Sequence, residues 1–144
     1  MKSEDYAYIA GFLDGDGCIM LQLIERKGYK LGYQIRASIV FYQKQCNRQF
    51  LEELKKNIQL GYIRNRNDGM SEYTIVGYSA VKNILEKLLP YLKLKHEQAK
   101  LALDVIAKMP TSGRRMNPSL LYDLSLKVDK FIDLNFRNFN VGAK

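Results

Sequence analysis

Histidine is nearly absent from this chain, cysteine is scarce and no apolar run is long. The single histidine, His96, leaves Ser-His-Asp chemistry one possible base and excludes a His-rich zinc site; on its own it reads as a surface residue. Two cysteines, Cys18 and Cys46, cannot build a disulfide framework and form no Cys-x-x-Cys pair, so a reducing interior is expected. No stretch approaches the roughly 20 apolar residues of a membrane span. The start, Met1-Lys2-Ser3-Glu4-Asp5, carries acids and no apolar run, unlike a secretory signal or an Arg-rich transit peptide. Acids are thinly spread: between Gly17 and Phe50 only Glu25 stands against Arg26, Lys27, Lys30, Arg36, Lys44 and Arg48. The whole chain has 23 Lys and Arg against 15 Asp and Glu, a formal charge of +8. Such a surface suits a polyanion, although charge alone fits a merely soluble basic surface equally well.

What is present is enough for one domain: 144 residues, 47% of them hydrophobic. Hydrophobic periodicity predicts a helix over 4–15, strands over 18–26 and 33–43, and a helix over 47–57. Strands over 60–66 and 71–78 follow, then helices over 79–88, 94–108 and 118–134. Turn chemistry marks the breaks at Lys27-Gly28, Asn67-Asp68-Gly69 and Pro110 to Pro118. The order αββαββααα is that of an α+β domain with four antiparallel strands and helices on one face. Alternation sends Ile19, Leu21, Leu23, Ile35, Ala37, Ile39 and Phe41 inward. It sends Met20, Gln22, Ile24, Arg26, Gln34, Arg36, Ser38, Val40 and Tyr42 outward. Arg64 and Arg66 share a face, as do Glu72 and Thr74. An open face so furnished can read bases in the major groove: Arg on guanine, Gln on adenine, Glu on cytosine, methyl groups on thymine. Ordinary solvent-facing alternation is the competing explanation. Nine strand residues at about 3.3 Å each span about 30 Å, close to one DNA turn of about 34 Å.

The segment Tyr8-Ile9-Ala10-Gly11-Phe12-Leu13-Asp14-Gly15-Asp16-Gly17-Cys18 sets two carboxylates at a helix C-terminus, where the macrodipole is already negative. Something outside the helix should compensate, and a divalent cation would do so. Ala7, Gly11 and Gly15 recur every four residues and strip one helix face of bulk, while Ile9, Phe12 and Leu13 furnish an apolar opposite face. A surface helix buries one face. A second buried face is best met by the same helix of another copy across a two-fold axis, which would hold two Asp16 side chains near each other.

This block resembles the signature of LAGLIDADG homing endonucleases, in the variant ending Gly-Asp-Gly. Tyr42-Gln43-Lys44, Gly61-Tyr62-Ile63-Arg64, Ser71-Glu72-Tyr73 and Pro90 to Ala99 are similar to the family in order and spacing. One motif copy in a chain of this length resembles the homodimeric branch. The resemblance implies an αββαββα core with a four-stranded antiparallel DNA-binding saddle, and a nuclease that makes double-strand breaks in a long pseudo-palindromic site, leaving short 3′ overhangs. Shallow readout, tolerant at several positions, is implied as well. Asp16 with the Gly15 carbonyl would hold Mg²⁺; Mn²⁺ would substitute, and Ca²⁺ would support binding without cleavage. No organic cofactor is implied. Close-packed glycine helices suit two sites set across a minor groove about 6 Å wide.

Gln43, on the inward register near the helix tip, would position the attacking water, and Lys95 would stabilise transition-state charge. Asn47 and Arg48 compete for a further position, and Asp14 is expected to be structural. DNA contacts would come from Gln22, Ile24, Arg26, Tyr29, Gln34, Arg36, Ser38, Val40, Arg64, Arg66, Glu72 and Thr74, with Arg114 and Arg115 on phosphates. Cys18, Ile24 and Val40 depart from common family choices, so sequence specificity does not transfer. The chain stops soon after Asn135-Phe136-Arg137, and backbone contacts from a longer tail are expected to be missing. A maturase-like RNA-binding splicing cofactor and a non-catalytic DNA-binding regulator are the alternatives; the first is marked by loss of the acids, and the second has no need of Gly15, Asp16 and Lys95 together. The protein is expected inside the cell with the genome that encodes it, in an organelle or a prokaryotic cytoplasm, from an intron more readily than an intein.

Overall fold

The structure is a computed structural model; it describes residues 1–110 and 116–143, with side chains as far as Asn135. Helix α1 (Ser3–Asp16) runs straight into β1 (Gly17–Glu25), which pairs with β2 (Tyr33–Lys44). A 3₁₀ turn (Gln45–Asn47) leads to α2 (Arg48–Ile58), then β3 (Tyr62–Asn65), β4 (Met70–Val76) and α3 (Tyr78–Leu88). After a second 3₁₀ turn (Leu89–Tyr91) come α4 (His96–Lys108) and α5 (Pro118–Ala143). The strands form one antiparallel sheet in the order β1-β2-β4-β3. Among the described residues no helix is long and apolar enough to cross a membrane.

The core lies between the sheet and its helices. Ile19, Leu21, Ile35, Ala37, Ile39 and Phe41 are buried as alternation predicts, against Ile9, Ala10 and Leu13 of α1 and the apolar stripes of α3 and α4. Phe12 stacks on Phe41 and Phe41 on Tyr73, at ring separations of 5.4 and 5.7 Å, so an aromatic ladder ties α1 across β2 to β4. Leu23 is the exception. It keeps the inward register but is 39% exposed, lining an open surface pocket with Pro118, Leu121 and Tyr122 of α5.

No loop separates α1 from β1, and Gly17 makes that possible. Its N–H closes the helix on the Leu13 carbonyl, and a Cβ there would lie 2.6 Å from Leu13 Cδ1 and 3.1 Å from Leu13 Cα. Shorter strands than the sequence suggests at β3 and β4 follow from Gly61 and Gly77, whose positive φ values of 84° and 106° turn the chain out of the sheet. Helix α5 runs well past the predicted end at 134.

Candidate active site and DNA-facing saddle

Asp16 is exposed where α1 meets the sheet. Gln43, at the far end of β2, donates from Nε2 to Asp16 Oδ2 at 3.2 Å. Asn47 in the following 3₁₀ turn donates from Nδ2 to Gln43 Oε1 at 3.1 Å. These three residues form a chain of hydrogen bonds ending on the carboxylate. Its other oxygen, Oδ1, has no partner among the described residues. Arg48 donates instead to Glu52 at 3.1 Å and to Asn65 at 2.7 Å, so of the two competing residues it is Asn47 that contacts Gln43 in the protomer.

Asp14 is structural, as expected. Its carboxylate accepts the backbone N–H of Lys93 at 2.8 Å and of Lys95 at 3.0 Å, fixing the segment that enters α4. Lys95 answers with its ammonium, which donates to the Asp14 carbonyl at 2.7 Å. The negative end of α1 is thus partly balanced from outside the helix by a lysine and two amides, so a cation is not the sole source of compensation. Of the two motif acids, Asp16 alone keeps a carboxylate oxygen without a partner among the described residues. Cys18, just past the motif, is half-buried; burial pushes its thiol up, an effect that nearby Lys95 lessens. Burial likewise pushes the Tyr42 phenol up, helped by Cys18 and Glu72 and opposed by Arg66.

The small-residue face of α1 is bare. Ala7, Gly11 and Gly15 are exposed, and a Cβ on either glycine would meet nothing within 4 Å. Tyr8, 64% exposed beside them, is a large apolar side chain that periodicity alone does not single out. Its position next to Gly11 on the helical wheel is the signal that points to it. Among the described residues no group of three or more His, Cys, Asp or Glu side chains could hold a metal ion. A cation at Asp16 therefore needs oxygens beyond one protomer's side chains.

On the open face of the sheet the long polar residues are paired across strands. Arg36 donates to Gln22 Oε1 at 3.4 Å, and Arg26 to Gln34 Oε1 at 3.2 Å. Glu72 sits between Arg64, at 3.3 Å, and Arg66, at 3.4 Å, and Arg66 also reaches Asp68 at 2.8 Å. Glu72 is thus engaged by arginines, a different arrangement from a carboxylate waiting for cytosine. Tyr29 is exposed in the β1–β2 turn, and Ile24 is partly covered.

Ser38, Val40 and Thr74 share that face but are buried, which corrects their assignment as open base contacts. Ser38 lies between Met20 and Val76, and Val40 between Cys18 and Thr74, in the middle strands where neighbours close over short side chains. They form the saddle's floor. Arg114 and Arg115 lie outside the described residues.

Comparison with known proteins follows the same lines. A family model for "LAGLIDADG endonuclease" matches residues 9–105. The chain is 44% identical over 125 residues to DNA endonuclease I-CvuI of Chlorella vulgaris, covering 87% of this chain and 76% of that protein. It is 35% identical over 134 residues to DNA endonuclease I-CreI of Chlamydomonas reinhardtii, covering 93% and 80%. The crystal structure of I-CvuI with its target and Ca²⁺ superposes with a TM-score of 0.85 at 42% identity, over 92% of this chain and 82% of that one. I-CvuI has also been crystallised on the I-CreI target with Mg²⁺, the DNA not cleaved. The chain belongs to the LAGLIDADG family of homing endonucleases, and its α+β fold is the family's.

Proposed function

We propose that this protein is a site-specific homing endonuclease that acts as a symmetric homodimer on double-stranded DNA and hydrolyses one phosphodiester in each strand with a divalent cation at Asp16. The reading rests above all on the exposed Asp16 carboxylate, held on one side by Gln43, at the end of a helix whose glycine face is bare. The donor set fits Mg²⁺: a carboxylate oxygen with no protein partner among the described residues, and the Gly15 carbonyl in a last helical turn whose carbonyls lack intrahelical donors. Mn²⁺ fits the same hard oxygens, and Ca²⁺ would hold DNA without cutting. When bound, such a cation supplies charge for the phosphate oxygens and acidifies water.

The chain's own residues do the rest. Gln43 fixes the carboxylate and presents its amide beside it, within reach of an attacking water. Lys95, anchored on the α1 terminus, brings positive charge to that end of the helix. Two α1 helices packed through Ala7, Gly11 and Gly15 would set the two Asp16 side chains across a minor groove about 6 Å wide, so both strands are cut with short 3′ overhangs. A symmetric enzyme favours a pseudo-palindromic target. Gln22, Ile24, Arg26, Tyr29, Gln34, Arg36, Arg64 and Arg66 face its bases, and Arg114 and Arg115 are assigned to phosphates. The protein works inside the cell, alongside the genome encoding it.

The test is cleavage of a pooled library of candidate insertion sites, read by sequencing the ends. Wild type should cut with Mg²⁺ or Mn²⁺ and only bind with Ca²⁺, whereas Asp16→Asn should bind and not cut. Equal cutting by both proteins would remove Asp16 from the mechanism.

A further inference from the structure

Arg48 lines one end of a groove of about 780 Å³ between α2 and the outer edge of β3. Lys55, Lys56 and Gln59 line it from the helix, Gly61 and Tyr62 from the strand. Arg48 is balanced there by Glu52, but neither lysine's ammonium has a partner among the described residues. Both lysines are exposed, and so is Tyr62. Both lysines stand in the last turn of α2, where the helix dipole favours cations, and both also line this groove along the sheet edge.

The width of the sheet says what lies beside that groove. Its outer strands, β1 and β3, are three spacings apart, about 14 Å at about 4.8 Å each. The major groove of DNA is about 12 Å wide. A saddle seated in it lays its edges against the two phosphate backbones. The β3 edge also has a direction: Asn65 lies at the catalytic end, opposite Ser71, which faces Gln43, and Tyr62 lies opposite Thr74, farther out.

We infer that the groove between α2 and β3 is a phosphate-binding rail, in which Lys55 and Lys56 contact the backbone of the target duplex as it runs outward from the cut site. This rests on the DNA-binding reading above and extends it to a surface off the saddle. The partner is duplex phosphate; the contacts add affinity and register, and carry no base information.

The test is the salt dependence of binding to a mixed-sequence duplex with Ca²⁺, comparing wild type with the double variant Lys55→Gln, Lys56→Gln. Every phosphate that a lysine neutralises adds about 0.9 to the slope of log K against log salt, so the double variant should have a slope shallower by about 1 to 2 per protomer and bind at least about tenfold more weakly at moderate salt. A charge-matched control, Lys82→Gln with Lys100→Gln on α3 and α4, should keep a slope close to wild type. Conservative Lys56→Arg should keep it as well. A melting curve and unchanged base preference confirm that the double variant is folded. If its slope equals that of the charge-matched control, the rail is refuted while the endonuclease reading stands. If wild type itself shows no salt-dependent binding to duplex, both fail together.

Discussion

Gln43 has two chemically different ends, and Asn47 decides which of them faces Asp16. With its oxygen taken by Asn47 Nδ2, Gln43 turns its NH₂ to the carboxylate. Asn47→Asp would put an acceptor where the donor stood and set Gln43 the wrong way round, oxygen towards carboxylate. Loss of a hydrogen bond, about 1 kcal/mol, plus that repulsion should lower cleavage by tenfold or more. Affinity for DNA in Ca²⁺ should stay near wild type, and Asn47→Arg, which keeps a donor, should retain more activity; cleavage by Asn47→Asp at the wild-type rate would refute the relay. The two motif acids should also separate cleanly. Asp14→Ala removes the acceptor of two backbone N–H groups in a half-exposed site, about 2 kcal/mol, and should lower Tm by about 5 °C in a domain of this size. Asp16→Asn should leave Tm within about 1 °C, since its carboxylate is exposed. Calorimetry on both variants checks the contrast.

Strands β3 and β4 hold their arginines by sharing one carboxylate. Glu72→Gln removes the charge that Arg64 and Arg66 share, so both guanidinium groups gain rotamers and the base preference beneath them should flatten by about 1 kcal/mol, read in a binding-site selection with Ca²⁺. An unchanged profile would mean the arginines never reach bases. Helices α4 and α5 are joined differently, by Asp104, whose hydrogen bonds to Lys127 and then Lys108 hold its carboxyl below the usual carboxylate range. Its contribution is present above the unfolded carboxylate range and is lost as pH falls through the lowered folded value, so Asp104→Asn should flatten the acid limb of stability. Most of this organisation was legible in the sequence: apolar alternation set β1 and β2, and the family's block set Asp16. What was not legible depended on register. Ser38, Val40 and Thr74 are hidden by neighbours on adjacent strands, and Glu72 is claimed by arginines one strand away and at a strand end. The 3₁₀ turn at Gln45–Asn47 changes the helical phase, and so brings Asn47 to Gln43 and sends Arg48 outward.

At the scale of the whole molecule, the glycines of the motif divide by what stands opposite them. A side chain at Gly17 collides with Leu13 within the same protomer, so Gly17→Ala should destabilise the fold itself. Gly11 and Gly15 meet nothing within 4 Å, and in a helix glycine costs about 0.8–1.0 kcal/mol relative to alanine. Nothing among the protomer's described residues offsets that cost. In the proposed homodimer a closely packed partner helix would offset it, because a two-fold contact doubles any bulk added at its axis. Gly11→Leu should therefore fold at least as well as a protomer yet sediment as a monomer, with a melting temperature that no longer rises with protein concentration as a dimer's does. Double-strand cleavage should vanish with the dimer, although every side chain around Asp16 is intact. A Gly11→Leu protein that stays dimeric and cuts both strands would place the subunit contact elsewhere and leave the bare face of α1 unexplained.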